Sequence, residues 1–289
     1  MTVMHRHLDA AIGPQGYALH GQDALDWEDW EPPWHGASAK LSRAEEHYWA
    51  LHSEVWRFLT EMPPAIRVDA SPDLGADWYT FSAKFAEPPI RIAIIFGDMV
   101  ANLRSALDHS LTAVNRGAGR RAQFPVFDRE EEFDEKFAKG WVADKGSAEL
   151  VDFLRPYQPF SRPPEVEVDE HWLRMLATIN NSDKHRTLVI TNNAIADNQL
   201  SGQKLGSPVP VQDFKWYPLP LGPDQPIRAD GAKLLAVHIP HLPADAELDL
   251  HSQVFSTVAV EEFENILEVA WVLLSSTAKL TAKVKSKLS

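Results

Sequence analysis

The chain has no cysteine. Disulfides, thiol nucleophiles and zinc sites built on cysteine spacings are therefore excluded, and the composition suits a reducing cytoplasm. Long apolar runs are missing too. None approaches the roughly 20 residues that a membrane-spanning helix needs, so no membrane partner is expected. The first 13 residues carry basic side chains but no apolar stretch of a signal peptide, so none is expected there. Basic residues are outnumbered, 28 Lys and Arg against 41 Asp and Glu, for a formal net charge of −13. That balance opposes a long nucleic-acid groove, although a local patch such as Arg116, Arg120 and Arg121 is compatible with it. Lys279, Lys283, Lys285 and Lys287 read as solvated lysines that complement the end of a helix.

Several catalytic signatures are also absent. There is no phosphate-binding or dinucleotide-binding glycine motif, no Gly-x-Ser-x-Gly elbow and no His-Glu-x-x-His. A di-iron bundle would need Glu-x-x-His on two helices, which the chain lacks. Glu45, Asp98, His109, Asp183 and His185 are ligand types, but nothing in their spacing calls for a metal. No cofactor is expected.

What is present is 289 residues that are 44% hydrophobic, enough to bury a sizeable core. Residues 1–37 show no period, are acidic, and hold Trp27, Trp30, Trp34 and Pro32-Pro33. They read as an extended arm that docks on the body or on a protein partner, since free tryptophans would be exposed apolar surface. From about Ser38, or from a capping box at Ser42–Glu45, the residues Leu41, Ala44, Tyr48, Leu51, Val55, Phe58 and Met62 form one helical stripe. Pro63-Pro64 ends that helix. Two short alternating segments, 66–69 and 78–85, predict a hairpin. Pro88-Pro89 opens a second long helix to about Asn115, with Ile92, Phe96, Met99, Leu103, Ala106, Ser110 and Ala113 inward. Short helices are expected at 130–139 and 148–154. A third long helix is expected at 168–185, with Trp172, Leu176 and Ile179 inward. Strands follow at 188–191, 234–239 and 248–258, with loop or edge strand over 192–230. A fourth long helix runs from Val260 to about Lys285. The expected fold is α+β, mainly α: residues 38–289 form a single helical-bundle domain of four long helices, with β insertions at about 65–86 and 187–258.

Two polar clusters interrupt this apolar pattern. On helix two, Asp98, Asn102, Ser105, His109 and Thr112 share one face, and Arg104 and Asp108 are an i,i+4 pair beside it. On helix three, Asn180, Asn181, Asp183, Lys184, His185 and Arg186 crowd the C-terminal end. Both also fit ordinary roles, a solvated face with an ion pair and a helix end complementing its dipole. If the clusters meet, histidines that move protons stand beside cations that hold phosphate, and the carboxylates set the histidine tautomers. That set suits phosphodiester chemistry without a metal.

The run Arg104-Ser105-Ala106-Leu107-Asp108-His109 matches the R-x4–6-H motif and so resembles the HEPN superfamily of helical-bundle proteins, many of them metal-independent ribonucleases of toxin–antitoxin and phage-defence systems. The resemblance implies Arg104 and His109 as active residues, RNA as the partner and a homodimer that brings two copies together. Carried through, His109 transfers the proton, Arg104 clamps phosphate, and Asp108 and Asn102 orient them. Lys184, His185, Arg186 and Asp183 are then candidate substrate-binding groups. NLRSALDH with NNSDKHR is also similar to a pattern in uncharacterised bacterial proteins, which implies no activity. The alternative class is a non-catalytic binding or interaction protein, in which the same residues form a buried polar network that fixes helix register.

Overall fold

The computed structural model describes residues 30–63, 65–114, 123–138, 148–185, 188, 190–196, 213–216, 233–240, 254–260 and 265–288. The fold is α+β and mainly α. In chain order the elements are α1 (His35–Glu61), β1 (Ala65–Ala70), β2 (Trp78–Lys84), α2 (Ile90–Val114), α3 (Glu130–Ala138), α4 (Ala148–Leu154), two single 3-10 turns, α5 (Trp172–His185), β3 (Ile190–Ala196), β4 (Asp213–Trp216), β5 (Lys233–His238), β6 (Val254–Val260) and α6 (Ile266–Leu288). The chain divides into two compact units: Met1–Ser53 with Ala93–Leu188 and Leu267–Ser289, and Glu54–Ile92 with Val189–Ile266.

The first unit is helical. Its core follows the stripes the sequence predicts. Leu41, Ala44, Tyr48 and Leu51 of α1, Phe96, Met99, Leu103 and Ala106 of α2, Leu176 and Ile179 of α5, and Ala270 and Leu274 of α6 are all buried. A side chain every three or four residues keeps one face of each helix inward, and burying it is what holds such a helix in place. Tyr48 meets Trp271 with ring centroids 5.7 Å apart, joining α1 to α6. Ser110 sits on the inward face of α2 with its hydroxyl satisfied by the Ala106 carbonyl at 2.7 Å.

Helix α1 begins earlier than its capping signals suggest. The Trp34 carbonyl accepts the Ala37 and Ser38 amides at 3.0 and 3.1 Å, so residues 35–37 of the expected arm are already helical. Ser38 turns its hydroxyl back to the His35 carbonyl at 3.0 Å, and Ser42 lies inside the helix. What fixes the start is tryptophan packing. Trp30 and Trp34 are buried and meet edge to face at 6.3 Å, and the Lys285 ammonium of α6 lies 4.6 Å from the Trp30 ring centre. This end of the arm therefore docks on the body. Trp27 lies outside the described residues. Helix α5 starts at Trp172 rather than 168, because 168–171 form turns in which the His171 amide bonds the Val168 carbonyl at 3.2 Å.

The second unit holds both sheets. One has four antiparallel strands in the order β1-β2-β5-β4, and the other pairs β3 with β6. The expected hairpin is β1–β2, with Val68 opposite Phe81. β4 is an edge strand within the stretch read as loop or edge. Val260 does not begin the last helix. It ends β6, paired with Ile190, in a segment whose Val254, Val258 and Val260 are β-branched and suit a pleated surface. Met62, expected on the inward stripe of α1, is exposed, because it lies just past the end of the helix.

The inward face of α6 carries a local conflict. Thr277 and Thr281, one turn apart, are fully buried, and neither hydroxyl has a hydrogen-bond partner among the described residues. A buried hydroxyl without a partner loses its hydration for nothing. Replacing Thr277 or Thr281 by Val keeps the shape and removes that loss. Each variant is expected to be more stable by about 1 kcal/mol, read as a rise in Tm of roughly 2–4 °C.

Candidate functional site

The first cluster folds into two different environments. Arg104 and Asp108 turn to one side of α2 and grip the peptide of Phe124. The Arg104 guanidinium donates to the Phe124 carbonyl at 2.6 Å, and an Asp108 carboxylate oxygen accepts the Phe124 amide at 2.7 Å. The two side chains pair at 3.6 Å, with the guanidinium side chain 15% and the carboxylate 29% exposed. Phe124 itself is buried, and residues 123–127 run without a helix or a ladder to satisfy their backbone. Side chains do it instead. The fully buried Gln158 continues the grip: its amide oxygen accepts the Phe127 amide at 3.1 Å and its NH2 donates to the Pro125 carbonyl at 3.3 Å. Beyond it, Arg174 of α5 pairs with Asp128 at 3.3 Å.

The electrostatics of this grip are dominated by burial. Burial pushes the Asp108 carboxyl above its ordinary value, against the opposing pull of Arg104, the Phe124 amide, Lys184 and His109. Burial likewise lowers Arg104, against Asp108. Both groups are thus shifted toward neutrality despite facing each other. The pair gives geometry more than net electrostatic energy.

The other side of α2 faces α1. The imidazole of exposed His109 lies over Gly36, where a Cβ would meet its Nδ1 at 2.7 Å. One helical step along, Lys40 donates to the Asn102 side-chain oxygen at 3.2 Å, and the Asn102 NH2 donates to the Asp98 carbonyl at 2.8 Å. Further on, His47 lies in the field of Asp98. Burial and Arg43 nonetheless lower its pKa, with Asp98 and Glu46 opposing. Positions 36 and 40 of α1 therefore meet 109 and 102 of α2 in reverse order, which makes this an antiparallel polar seam.

Helix α5 closes the opposite flank. A Cβ on Gly97 would fall 2.7 Å from Cγ and 2.8 Å from Oδ2 of Asp183. With glycine at 97 the Asp183 carboxylate can lie directly against α2. The Asp183 carboxyl is raised above its ordinary value by burial and then by Asp98. Lys184 is exposed and near enough to act on Asp108. Asn180 is buried and Asn181 exposed. The two clusters thus do come together along α2, through Gly97–Asp183 and Lys184–Asp108. The His185 side chain and all of Arg186 lie outside the described residues.

Arg104 and His109, however, are not brought together. Five residues along a helix is a rotation of about 140°, and the structure uses it: Arg104 turns to Phe124 and His109 to Gly36. Among the described residues no three His, Asp or Glu side chains are placed to hold a metal.

Sequence reasoning missed Lys40 and His47, although Gly36, Lys40, Arg43 and His47 fall at steps of four, three and four beside the apolar stripe of α1. That period was a usable signal. Nothing local marks Phe124 or Gln158, because their role depends on a long-range meeting of backbone and side chain. No protein-family model matches the chain, and no curated protein or solved structure matches it.

The Gly97–Asp183 contact predicts a sign change. In an Asp183→Ala background, Gly97→Ala is expected to stabilise by about 0.5–1 kcal/mol through helix propensity. In the wild type the same change is expected to destabilise by about 1 kcal/mol or more, from overpacking against the carboxylate. A double-mutant cycle by chemical denaturation reads the coupling. Additive effects would show that the contact carries no energy.

Proposed function

We propose that the protein is a non-catalytic binding or interaction protein, in which the Arg104–Asp108 cluster is a structural polar network. The observation that carries this reading is the double hydrogen bond to Phe124. The group that a ribonuclease would use as a phosphate clamp is mostly buried, paired with Asp108, and donating to a main-chain carbonyl of its own chain. A guanidinium so engaged is a poor receiver of a ligand phosphate. Trp56 is a candidate anchor for a partner, being the exposed aromatic side chain of α1, 48% open. A cytoplasmic location goes with the same reading.

One observation favours the second reading, a HEPN-type metal-independent ribonuclease or a degenerate relative. His109 is on the surface, and both it and Lys184 act on Asp108. A proton-transfer group and a cation are then available without Arg104, and RNA and a second copy of the chain would be the partners. In that case Lys40 and Asn102, on the same seam about two turns of α2 from His109, would take up a substrate-positioning role.

Cleavage of single-stranded RNA by wild type, His109→Ala and Arg104→Ala, together with their thermal melts, separates the two. The binding reading expects no cleavage that His109→Ala removes. It also expects Arg104→Ala to lose about 2 kcal/mol of stability through the orphaned Phe124 carbonyl and the unpaired Asp108, while His109→Ala stays within about 0.5 kcal/mol of wild type. Cleavage that disappears in a fully folded His109→Ala protein would overturn it in favour of the ribonuclease.

A further inference from the structure

We propose that His171 is a pH-dependent N-cap that holds the first turn of α5 at neutral pH and releases it in acid. Its carbonyl accepts the Met175 amide at 2.9 Å, the first i→i+4 bond of the helix, which makes His171 the capping residue. Its ring nitrogen Nδ1 accepts the Leu173 amide at 3.3 Å. Serine, threonine, aspartate and asparagine usually fill this role with an oxygen. An imidazole can do so only while neutral and with its proton on Nε2.

Protonation reverses the contact. Nδ1 becomes a donor facing a donor, the Leu173 amide loses its partner, and a cation stands at the positive end of the helix dipole. The surroundings add to this. The ring stacks on Trp172 with centroids 6.1 Å apart. A cation whose charge acts on the ring is Arg162, just after the second 3-10 turn, held in place by donating from Nε to the Val166 carbonyl at 2.7 Å and from a terminal nitrogen to the Pro159 carbonyl at 3.4 Å. On the capping turn itself, Asp169 reaches Arg174 at 3.6 Å and Glu170 accepts the Glu167 amide at 3.3 Å. Both carboxylates are exposed, so solvent and salt screen what they offer a protonated ring.

Burial first, and Arg162 second, hold the His171 pKa below its ordinary 6.5. A base with a depressed folded pKa contributes stability that is fully present above the unfolded value. That stability is lost as pH falls through the folded one. Helix α5 also carries Arg174, Asn180, Asp183 and Lys184, so loosening its first turn acts on the element that supplies the second polar cluster.

Amide hydrogen exchange across residues 172–178 tests the proposal, as protection factors at about pH 7.5 and about pH 5, on either side of the free imidazole value. Wild type is expected to lose protection in acid by about fivefold, the size of one helix cap. His171→Asn, a cap that does not titrate, is expected to keep it. His171→Ala is expected to match acid-treated wild type at both pH values. Ring 15N shifts of wild-type His171 are expected to show Nδ1 unprotonated at about pH 7.5 and protonated at about pH 5. Equal acid loss in wild type and His171→Asn, full protection in His171→Ala at the higher pH, or a proton on Nδ1 there, would overturn it.

Discussion

The helical unit depends on one contact, the grip of Arg104 and Asp108 on the peptide of Phe124. Residues 123–127 lie outside helix and strand, with no ladder among the described residues to satisfy their backbone. A buried peptide in that state has an amide and a carbonyl with nowhere to go, and each would cost as much as a lost hydrogen bond. An i,i+4 pair of opposite charge supplies one donor and one acceptor to the main-chain amide and carbonyl of one residue. Gln158 repeats the arrangement two residues on with a neutral amide. Once the segment is held, the Phe124 ring can enter the core, and Asp128 reaches Arg174 on α5.

The form of the grip explains its energetics. A pair kept for electrostatic gain would drive both partners toward their charged states. Here burial drives both the other way. The burial is tolerated because the Phe124 amide and carbonyl complete the hydrogen bonding of the two side chains. The result is specificity of position: the amide on Asp108 and the carbonyl on Arg104 both belong to Phe124, so the two bonds fix where that residue sits.

How much of this was legible depends on range. The inward stripes of α1, up to Phe58, and of α2 were readable residue by residue, because burial of one helical face imposes a period that composition cannot hide. The Arg104–Asp108 pair was readable as a local i,i+4 contact. Its use was not, since Phe124 lies 16 residues beyond Asp108 and carries no sequence mark. Boundaries failed where packing overrode local signals. Trp34 starts α1 ahead of a plausible capping box, and Val260 belongs to a ladder although it keeps step with the helix that follows. The His171 cap was missed because imidazole is an unusual capping group and Ser, Thr, Asp and Asn are what a reader looks for.

The polar stripe of α2 finally divides by direction rather than by motif. On the α5 side, Gly97 lets Asp183 press against the helix, and Arg104 and Asp108 are occupied by main chain. On the α1 side, His109 is exposed, Asn102 and Lys40 hold each other at 3.2 Å, and His47 is only partly covered. The residues that first suggest chemistry, Arg104 with His109, straddle the division, so a shared role for them requires Arg104 to release Phe124. Lys40 with Asn102 and Gly36 with His109 join the first helix to the second along one edge, at contacts that leave the Arg104–Asp108 grip undisturbed.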